Sequence, residues 1–195
     1  HSKQRVKAVV ASNVNLPRLL VTTGAITHPN YRSSNHRGDM ALRDHTYGAV
    51  VVEIIDKEKY NIRNIKALKG GGFIDMGRKY TDGKRSVKAN TEALVLGDLH
   101  VGEEDPQTMA ANYEMMDFFK PKRLFIHDLF NGSSVNPHEK DNLMTRAKQW
   151  NEGKLNLEKE LKACNSELKR LGKKMGKRDI YIVASNHNFF LDRYL

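Results

Sequence analysis

Hydrophobic and polar positions follow two different patterns along the chain, and the change falls near residue 90. Before it, short runs rich in β-branched and apolar residues are separated by tight turns; these runs cover residues 18–26, 46–55 and 60–68. The charged segment "KEK" directly before the third run predicts a β-hairpin formed by the last two runs. Asp82-Gly83, between polar strand-like flanks, predicts another hairpin. We therefore expect a small antiparallel β domain over residues 1–90.

The long link between the first two runs is predicted to be an exposed loop, because it contains Pro29, Gly38 and several Asn and Ser residues. Three histidines, His28, His36 and His45, flank this loop together with two aspartates. They could form a metal site of their own. The more ordinary interpretation is a polar surface loop, since no tight ligand spacing is present, and the sequence leaves the role of these histidines open.

From about residue 91 the pattern alternates between apolar strands and helices. The strands are predicted in "EALVLGD", "RLFIHD" (123–128) and "DIYIVASNH" (179–187). Between the first two, Met109, Tyr113 and Met116 recur at helical spacing, and Pro121 is expected to end that helix. Strands that alternate with helices indicate βαβ units, so we expect an α/β region with a mostly parallel sheet over residues 91–195.

A long helical region is predicted between the second and third strands, from about Glu139 to Lys174. One apolar stripe runs along its second half; it consists of Leu157, Leu161, Cys164, Leu168, Leu171 and Met175. Such a stripe is typical of a helix that packs on its own sheet. It could also serve a homo-oligomer, but it holds too few heptads for a coiled coil.

Length and composition narrow the class of protein. With 195 residues and 39% hydrophobic content the chain can bury a core. Its single cysteine, Cys164, excludes an internal disulfide and fits a reducing compartment. The sequence has no run of about 18 apolar residues that would span a membrane and no signal-peptide pattern, so we expect a cytoplasmic location. The chain does not open with Met, which suggests a piece of a longer protein.

The net charge of +10 lies entirely in the first part of the chain. Residues 1–90 hold 17 Lys and Arg against 7 Asp and Glu, whereas residues 91–195 hold 16 of each kind. A cationic segment beside a neutral one suggests an anionic partner, most often a phosphate backbone. We therefore expect DNA to bind the basic N-terminal part, although a solvated basic surface is the simpler alternative.

Polar side chains follow each of the three apolar strands of the second part. They are Asp98 and His100 after the first strand, His127 and Asp128 after the second, and Asn186 and His187 after the third. The carboxyl ends of parallel strands line the crevice where ligands bind in open α/β sheets, so these side chains are expected to converge. Carboxylates, imidazoles and an amide oxygen are ligands for divalent metals of intermediate hardness.

The motifs "GDLHVG", "HDLFNG" and "SNHN" resemble, in order, the first three motifs of the calcineurin-like metallophosphoesterases. Within that superfamily the second motif is most similar to the DNA repair nucleases of the SbcD type. The segment "LVLGDLHVGEEDP", which follows a basic β domain, is similar to the early DNA-transfer nucleases of tailed bacteriophages. The resemblance covers about residues 92–192 and implies a metallophosphoesterase βαβ core, of which this chain holds the first half.

The resemblance also implies a role for each matching residue in a site with two divalent ions. Asp98 and His100 would hold the first ion, Asp128 would bridge both ions, and Asn186 would bind the second. His187 would act near the scissile phosphate. Manganese is the expected metal, with iron, zinc or magnesium as alternatives. The host would be a bacterium if a phage encodes the chain.

The sequence departs from the family pattern in several places. His127 stands where Gly usually precedes the bridging Asp, Ser185 where Gly precedes Asn186, and Asn188 where an acidic residue usually follows. The family completes its metal site with further histidines after the third motif, including a G-H-x-H motif. No histidine follows His187 in these 195 residues, and no H-x-H occurs among them. We therefore expect weak metal binding and little or no activity from these 195 residues alone.

Two hypotheses from different classes follow. The first is a metal-dependent DNA nuclease, a phosphodiesterase with a two-metal site. The second is an inactive scaffold of the same fold that binds nucleic acid or a protein; the altered glycines favour it, and the retained ligand set opposes it. The sequence does not distinguish exonuclease from endonuclease activity, the strand preference, DNA from RNA, the physiological metal or the oligomeric state.

Overall fold

The computed structural model describes residues 2–9, 18–57 and 59–195. The chain separates into two compact units, residues 1–89 and 90–195. The elements of unit 1 are β1 (Gln4–Val9), β2 (Arg18–Thr23), α1 (His36–Arg43), β3 (Gly48–Ile54), β4 (Tyr60–Lys66), β5 (Phe73–Asp75), β6 (Arg78–Thr81) and β7 (Lys84–Lys88). Those of unit 2 are β8 (Ala93–Asp98), α2 (Pro106–Phe119), β9 (Arg123–His127), a 3₁₀ helix (Ser133–Val135), α3 (Leu143–Asn151), α4 (Leu157–Met175), β10 (Asp179–Ile182) and α5 (Asn188–Tyr194).

Unit 1 consists of small antiparallel sheets, as the sequence predicts. β1 pairs with β2, β3 with β4, and β5–β6–β7 form a meander. Both predicted hairpins are confirmed: β3 and β4 pair across residues 55–59, and β6 and β7 pair across Asp82-Gly83. β1 was not predicted, because its sequence "QRVKAV" has no strong apolar face. The strand is defined by its pairing with β2, which the sequence does not reveal.

Polar contacts join the strand pairs of unit 1. The side-chain amide of Gln4 donates to the carbonyl oxygens of Thr23, Ala49 and Ile65 at 2.9–3.1 Å, and so connects the β1–β2 pair to the β3–β4 pair. Gly48 permits this approach, since a Cβ atom there would lie 2.4 Å from the Gln4 amide nitrogen. The unit is therefore held together at this point by hydrogen bonds rather than by apolar packing.

The prediction of a loop between the first two strands is wrong in part, because this segment contains α1. Asn35 caps the helix by accepting from the Gly38 N–H at 2.8 Å, and Arg43 lies favourably in its last turn. No residue of α1 is buried. Eight residues are too few for a long helical repeat, and the turn-forming residues on either side dominate this part of the sequence, so the Asn35 cap was the clearest local signal of the helix.

Unit 2 is built on a three-stranded parallel sheet in the order β10–β9–β8. The expected mixture of α and β structure with a parallel sheet is thus confirmed. α2 begins at Pro106, is capped by the Asp105 side chain, which accepts from Thr108 N–H at 2.7 Å, and ends directly before Lys120 and Pro121, as predicted.

The predicted helix over 139–174 is in fact two helices, α3 and α4. Gly153, with a φ of 71°, lies between them, and the Asn156 side chain caps α4 by accepting from Lys159 N–H. The apolar stripe packs against the sheet, as predicted: Cys164, Leu171 and Met175 belong to one buried cluster that also contains Leu124, Ile126, Met109 and Met116. Leu161 is the member of the stripe that stays exposed.

The third predicted strand is shorter than expected, because β10 ends at Ile182 and the chain then turns toward α5. On the sheet face away from the buried cluster, Val95, Phe125 and Tyr181 occupy one register row, with the rings of Phe125 and Tyr181 stacked at 5.0 Å. Among the described residues, no helix has the length and apolar character that a bilayer-crossing segment needs.

Candidate metal centre

The ends of β8 and β9 run side by side beyond the sheet. The strands are parallel, and Asp98 is the register partner of His127. Past that point the hydrogen-bond ladder continues: the N–H groups of Leu99, His100 and Val101 donate to the carbonyls of His127, Asp128 and Leu129 at 3.1, 2.7 and 3.0 Å. These bonds hold the loop after β8 against the loop after β9, so that the polar side chains of the two loops lie close together.

Two residues in these loops have a left-handed backbone conformation. His100 has a φ of 43° and Asp128 a φ of 41°. This region is rare for residues other than glycine, and Asp and His are among the few that enter it with some frequency. It costs on the order of 1–2 kcal/mol for each residue, so the surrounding packing must maintain it. Leu99, Val101, Leu129 and Phe130 are all buried beside these two residues and anchor both loops in the core.

Asp98, His100 and Asp128 form a cluster of possible metal ligands. One ligand atom from each of the three side chains lies within 4.8 Å of the others. His100 and Asp128 are half-buried, whereas Asp98 is exposed. Nδ1 of His100 and Oδ1 of Asp128 are buried and have no hydrogen-bond partner among the described residues. A buried polar atom without a partner is costly, and a cation that such an atom contacts would remove that cost.

His187 lies directly beside this cluster. Its ring centroid is 4.5 Å from that of His100, in an edge-on arrangement. Its Nδ1 lies 2.6 Å from the carbonyl oxygen of Asn131. Because a carbonyl oxygen can only accept, Nδ1 must carry the proton in this bond. In the neutral ring this leaves Nε2 with its lone pair, able to bind a cation or accept a proton.

The structure places Asn186 next to His187 in the turn after β10, where Asn186 is exposed. Two of the positions that depart from the family pattern contact each other in this turn. The Ser185 hydroxyl and the Asn188 side-chain oxygen form a hydrogen bond of 2.7 Å, in which Ser185 donates. These replacements therefore close the turn that presents Asn186 and His187.

An open cavity of about 320 Å³ borders the cluster and is lined by Asp98 and His100. Three consecutive acidic residues, Glu103, Glu104 and Asp105, line it as well. Asp105 is occupied as the cap of α2, and the hydrogen bond from Thr108 N–H lowers the pKa of its carboxyl. Sequence reasoning did not assign a role to this acidic rim, nor to the Asn131 carbonyl, since a main-chain acceptor has no signature in the sequence.

The three histidines that flank the predicted loop, His28, His36 and His45, have other surroundings. His45 Nδ1 lies 3.0 Å from the Tyr31 hydroxyl, and His28 Nδ1 lies 3.4 Å from the Tyr47 hydroxyl. His36 is the exposed first residue of α1. Within the described ranges, the one group of three or more His, Cys, Asp or Glu side chains close enough to share an ion is Asp98, His100 and Asp128.

Comparison with known proteins gives one distant relative to report. The chain is 27% identical over 202 residues to a protein named Protein A1 from Escherichia phage T5. The match covers the whole of this chain and 36% of that protein, so the chain spans about a third of its relative's length. No family profile matches the chain. No solved structure matches it either.

Proposed function

We propose that this chain contains the metal-binding and DNA-holding parts of a metal-dependent DNA nuclease. The observation that carries the proposal is the cluster of Asp98, His100 and Asp128, in which two side chains each have a buried polar atom without a partner and His187 lies in ring contact. The order of the three motifs and their resemblance to the metallophosphoesterase nucleases supports the same conclusion.

The donor set fits divalent cations. Two carboxylates and an imidazole suit manganese, iron or zinc, and manganese is the metal we propose, with magnesium also acceptable to the carboxylates. Divalent cations bound here would supply an activated water and charge neutralisation for the phosphodiester. The cluster offers ligands for one ion, and in our proposal Asp128 also faces a second ion that Asn186 helps to hold.

The protein's own residues have distinct tasks in this proposal. Asp98 and His100 would hold the ion in a fixed position, because the main-chain ladder beyond β8 and β9 holds the backbone of these loops. His187 donates its Nδ1 proton to Asn131, which orients the ring. Its Nε2 can then carry a proton for the leaving oxygen of the DNA strand, or stabilise the charge that develops on the phosphate.

Unit 1 supplies the proposed DNA-binding surface. The whole net charge of +10 lies in residues 1–90, and a phosphate backbone is the commonest partner of such a surface. The relative from a bacteriophage is consistent with action in the cytoplasm of a bacterial host. An oligomer is not part of the proposal, because most of the α4 stripe is used in the core of unit 2.

Manganese binding tests the proposal on this chain directly. We expect Asp128→Asn to weaken binding at least tenfold, as measured by the loss of the free-ion signal in electron paramagnetic resonance, because an outer partner alone typically accounts for 10–100-fold. Asp141→Asn is the matched control, since Asp141 is an exposed carboxylate in the same unit. Equal manganese binding by both variants would contradict the proposal.

Cleavage provides the second measurement. Where the gene encodes sequence beyond Leu195, we expect the full product to cut DNA with manganese, to stop in excess chelator, and to lose at least about 100-fold of its rate in Asp128→Asn. Cutting that continues in chelator would exclude a metal mechanism. A product that binds DNA but neither binds manganese nor cuts would instead be the inactive scaffold.

A further inference from the structure

We propose that a second cavity in unit 2 holds a phosphate group of the nucleic-acid strand on one side of the scissile bond. This inference rests on the proposed nuclease function and adds a binding subsite to it. The cavity has a volume of about 270 Å³ and lies between the 3₁₀ helix, α3 and α5. Three cationic side chains line it: Lys140, Arg146 and Arg193.

The charge of this cavity has one sign. Among the described residues that line it, none is acidic. Glu160 contacts the wall of the cavity, where it accepts from the Ser134 N–H at 3.2 Å and from the Ser134 hydroxyl, and its charge offsets part of the positive charge of the three cations. Lys140 and Arg193 are exposed and form no ion pair within the described part of the chain. Three cations line one concave site, and they outnumber the single carboxylate beside it, which favours an anionic ligand.

Several cations of unit 2 are paired with carboxylates, whereas, among the residues that the structure describes, those that line this cavity are not. Lys122 and Arg123 contact Glu92, Lys154 contacts Glu103, and Lys174 contacts Asp117. Unit 2 carries as many acidic as basic residues, so excess charge there is local. The cavity is therefore a local concentration of positive charge in a unit that has no net charge.

The form of the cavity fits a strand phosphate better than a diffuse counter-ion. Arg146 is held in place because its Nη1 donates to the carbonyls of Ser133 and Ser134 at 3.3 and 3.4 Å. Its remaining N–H groups can contact phosphate oxygens in fixed directions. Tyr194 lines the same cavity and is 64% exposed, so its ring can stack against a nucleic-acid base.

A shared aromatic wall connects the cavity to the candidate metal centre. Phe190 lines the cavity, and its ring centroid is 4.7 Å from that of His187. The His187 ring is in turn 4.5 Å from the His100 ring. The two sites are thus two ring contacts apart, a distance that a few nucleotides of one strand span. A strand with its scissile phosphate at the cluster can place a neighbouring phosphate among the three cations.

Oligonucleotide binding in chelator tests this inference without any catalysis. The variant K140Q/R193Q removes two cavity cations, and K173Q/K177Q removes two exposed, unpaired cations of the same unit outside the cavity. We expect the first variant to weaken binding of a fluorescent single-stranded oligonucleotide about tenfold at moderate salt and to reduce the salt-dependence slope by about 1.4. We expect the second to change binding less than twofold. Circular dichroism checks that both fold.

The possible failures are distinguishable. Equal weakening by both double variants would overturn the phosphate subsite, and so would inorganic phosphate that binds as tightly as the oligonucleotide. Neither result would affect the manganese experiment on Asp128→Asn. Conversely, if Asp128→Asn keeps full manganese binding while K140Q/R193Q alone loses oligonucleotide affinity, the nuclease proposal fails and the cavity remains a strand-binding site.

Discussion

The two units differ in what fills their interiors. Unit 2 contains a cluster of fourteen buried apolar residues, in which Met116, Leu124, Ile126 and Leu171 are fully inaccessible. In the described part of unit 1, Ala89 is the one apolar side chain classed as buried. That unit is held together by main-chain ladders and by hydrogen bonds from polar side chains such as Gln4. Arg63 is another such side chain and donates two hydrogen bonds to Asp75 at 2.9 and 3.0 Å.

This difference agrees with the division of tasks in the proposed function. A metal centre needs ligands held to fractions of an ångström, and the packed core of unit 2 can hold them. A surface that binds a phosphate backbone through charge needs less exact positions, and unit 1 is polar and cationic. We therefore expect the stability of unit 2 to depend on apolar volume and that of unit 1 to depend on charge and pH.

Removal of core volume should give the largest effect. Leu171→Ala deletes a fully buried side chain of α4, and we expect it to lower the free energy of unfolding of unit 2 by about 2–5 kcal/mol. Leu161→Ala on the same helix is the control, because Leu161 is 42% exposed and should cost less than about 1 kcal/mol. Urea unfolding followed by circular dichroism measures both; similar losses would contradict the assigned core.

Gly132→Ala tests the packing behind the candidate metal centre. Gly132 has a φ of 74°, and a Cβ atom there would lie 2.9 Å from the Phe130 ring and 3.2 Å from the Phe190 ring. Gly153 has a similar φ of 71° but open space around it, so Gly153→Ala isolates the conformational cost of about 1–2 kcal/mol. We expect Gly132→Ala to cost about 1–3 kcal/mol more than this control.

The same variant should also disturb the site. Phe190 contacts His187, so a shift of its ring should change the nuclear magnetic resonance signal of the His187 ring. Gly153→Ala should leave that signal in place. An unchanged His187 signal in Gly132→Ala would show that Phe190 does not position this histidine.

Acid should weaken unit 1 through Arg63. Hydrogen bonds from Arg63 lower the pKa of Asp75 and of Glu53 below their usual 3.8 and 4.5. A lowered folded-state pKa adds stability above the unfolded-state value, and that stability is lost as the pH falls through the folded-state value. Arg63→Gln should therefore destabilise unit 1 at neutral pH and flatten its loss of stability below about pH 4, as followed by urea unfolding. A parallel pH curve for both proteins would contradict this.

The smallest expected effect concerns Cys164 in the core of unit 2. Burial raises the pKa of its thiol from 9.0 to about 11. The folded protein should thus react with a thiol reagent about 100-fold more slowly than the unfolded chain at mildly alkaline pH. Since the unfolded state releases this proton first, stability should fall as the pH rises above about 9. Rapid labelling of the native protein would place Cys164 outside the core.

Much of unit 2 could be predicted, because its signals are local and strong. The apolar strands, the α4 stripe and the polar residues after each strand are readable as patterns, and the βαβ order predicts a parallel sheet. The convergence of Asp98, His100 and Asp128 follows from that sheet. Their roles toward a metal, and those of Asn186 and His187, stay predictions until they are measured.

The remaining features depend on contacts between distant parts of the chain or on polar caps. β1 is defined by its pairing with β2, and α1 is a short exposed helix fixed by Asn35. The break before α4 needed the left-handed Gly153, which a stripe of apolar residues does not reveal. The bond from His187 to the Asn131 carbonyl joins residues 56 positions apart, so no local pattern contains it.

The left-handed backbone at His100 and Asp128 has a consequence for how a cation would be captured. The conformational cost of these two positions is met while the protein folds, since buried neighbours and the main-chain ladder hold both loops. The loops that would bind a cation are therefore preorganised, and binding would require little free energy for ordering them. We therefore expect fast association of the cation, with its exchange limited by the dissociation rate.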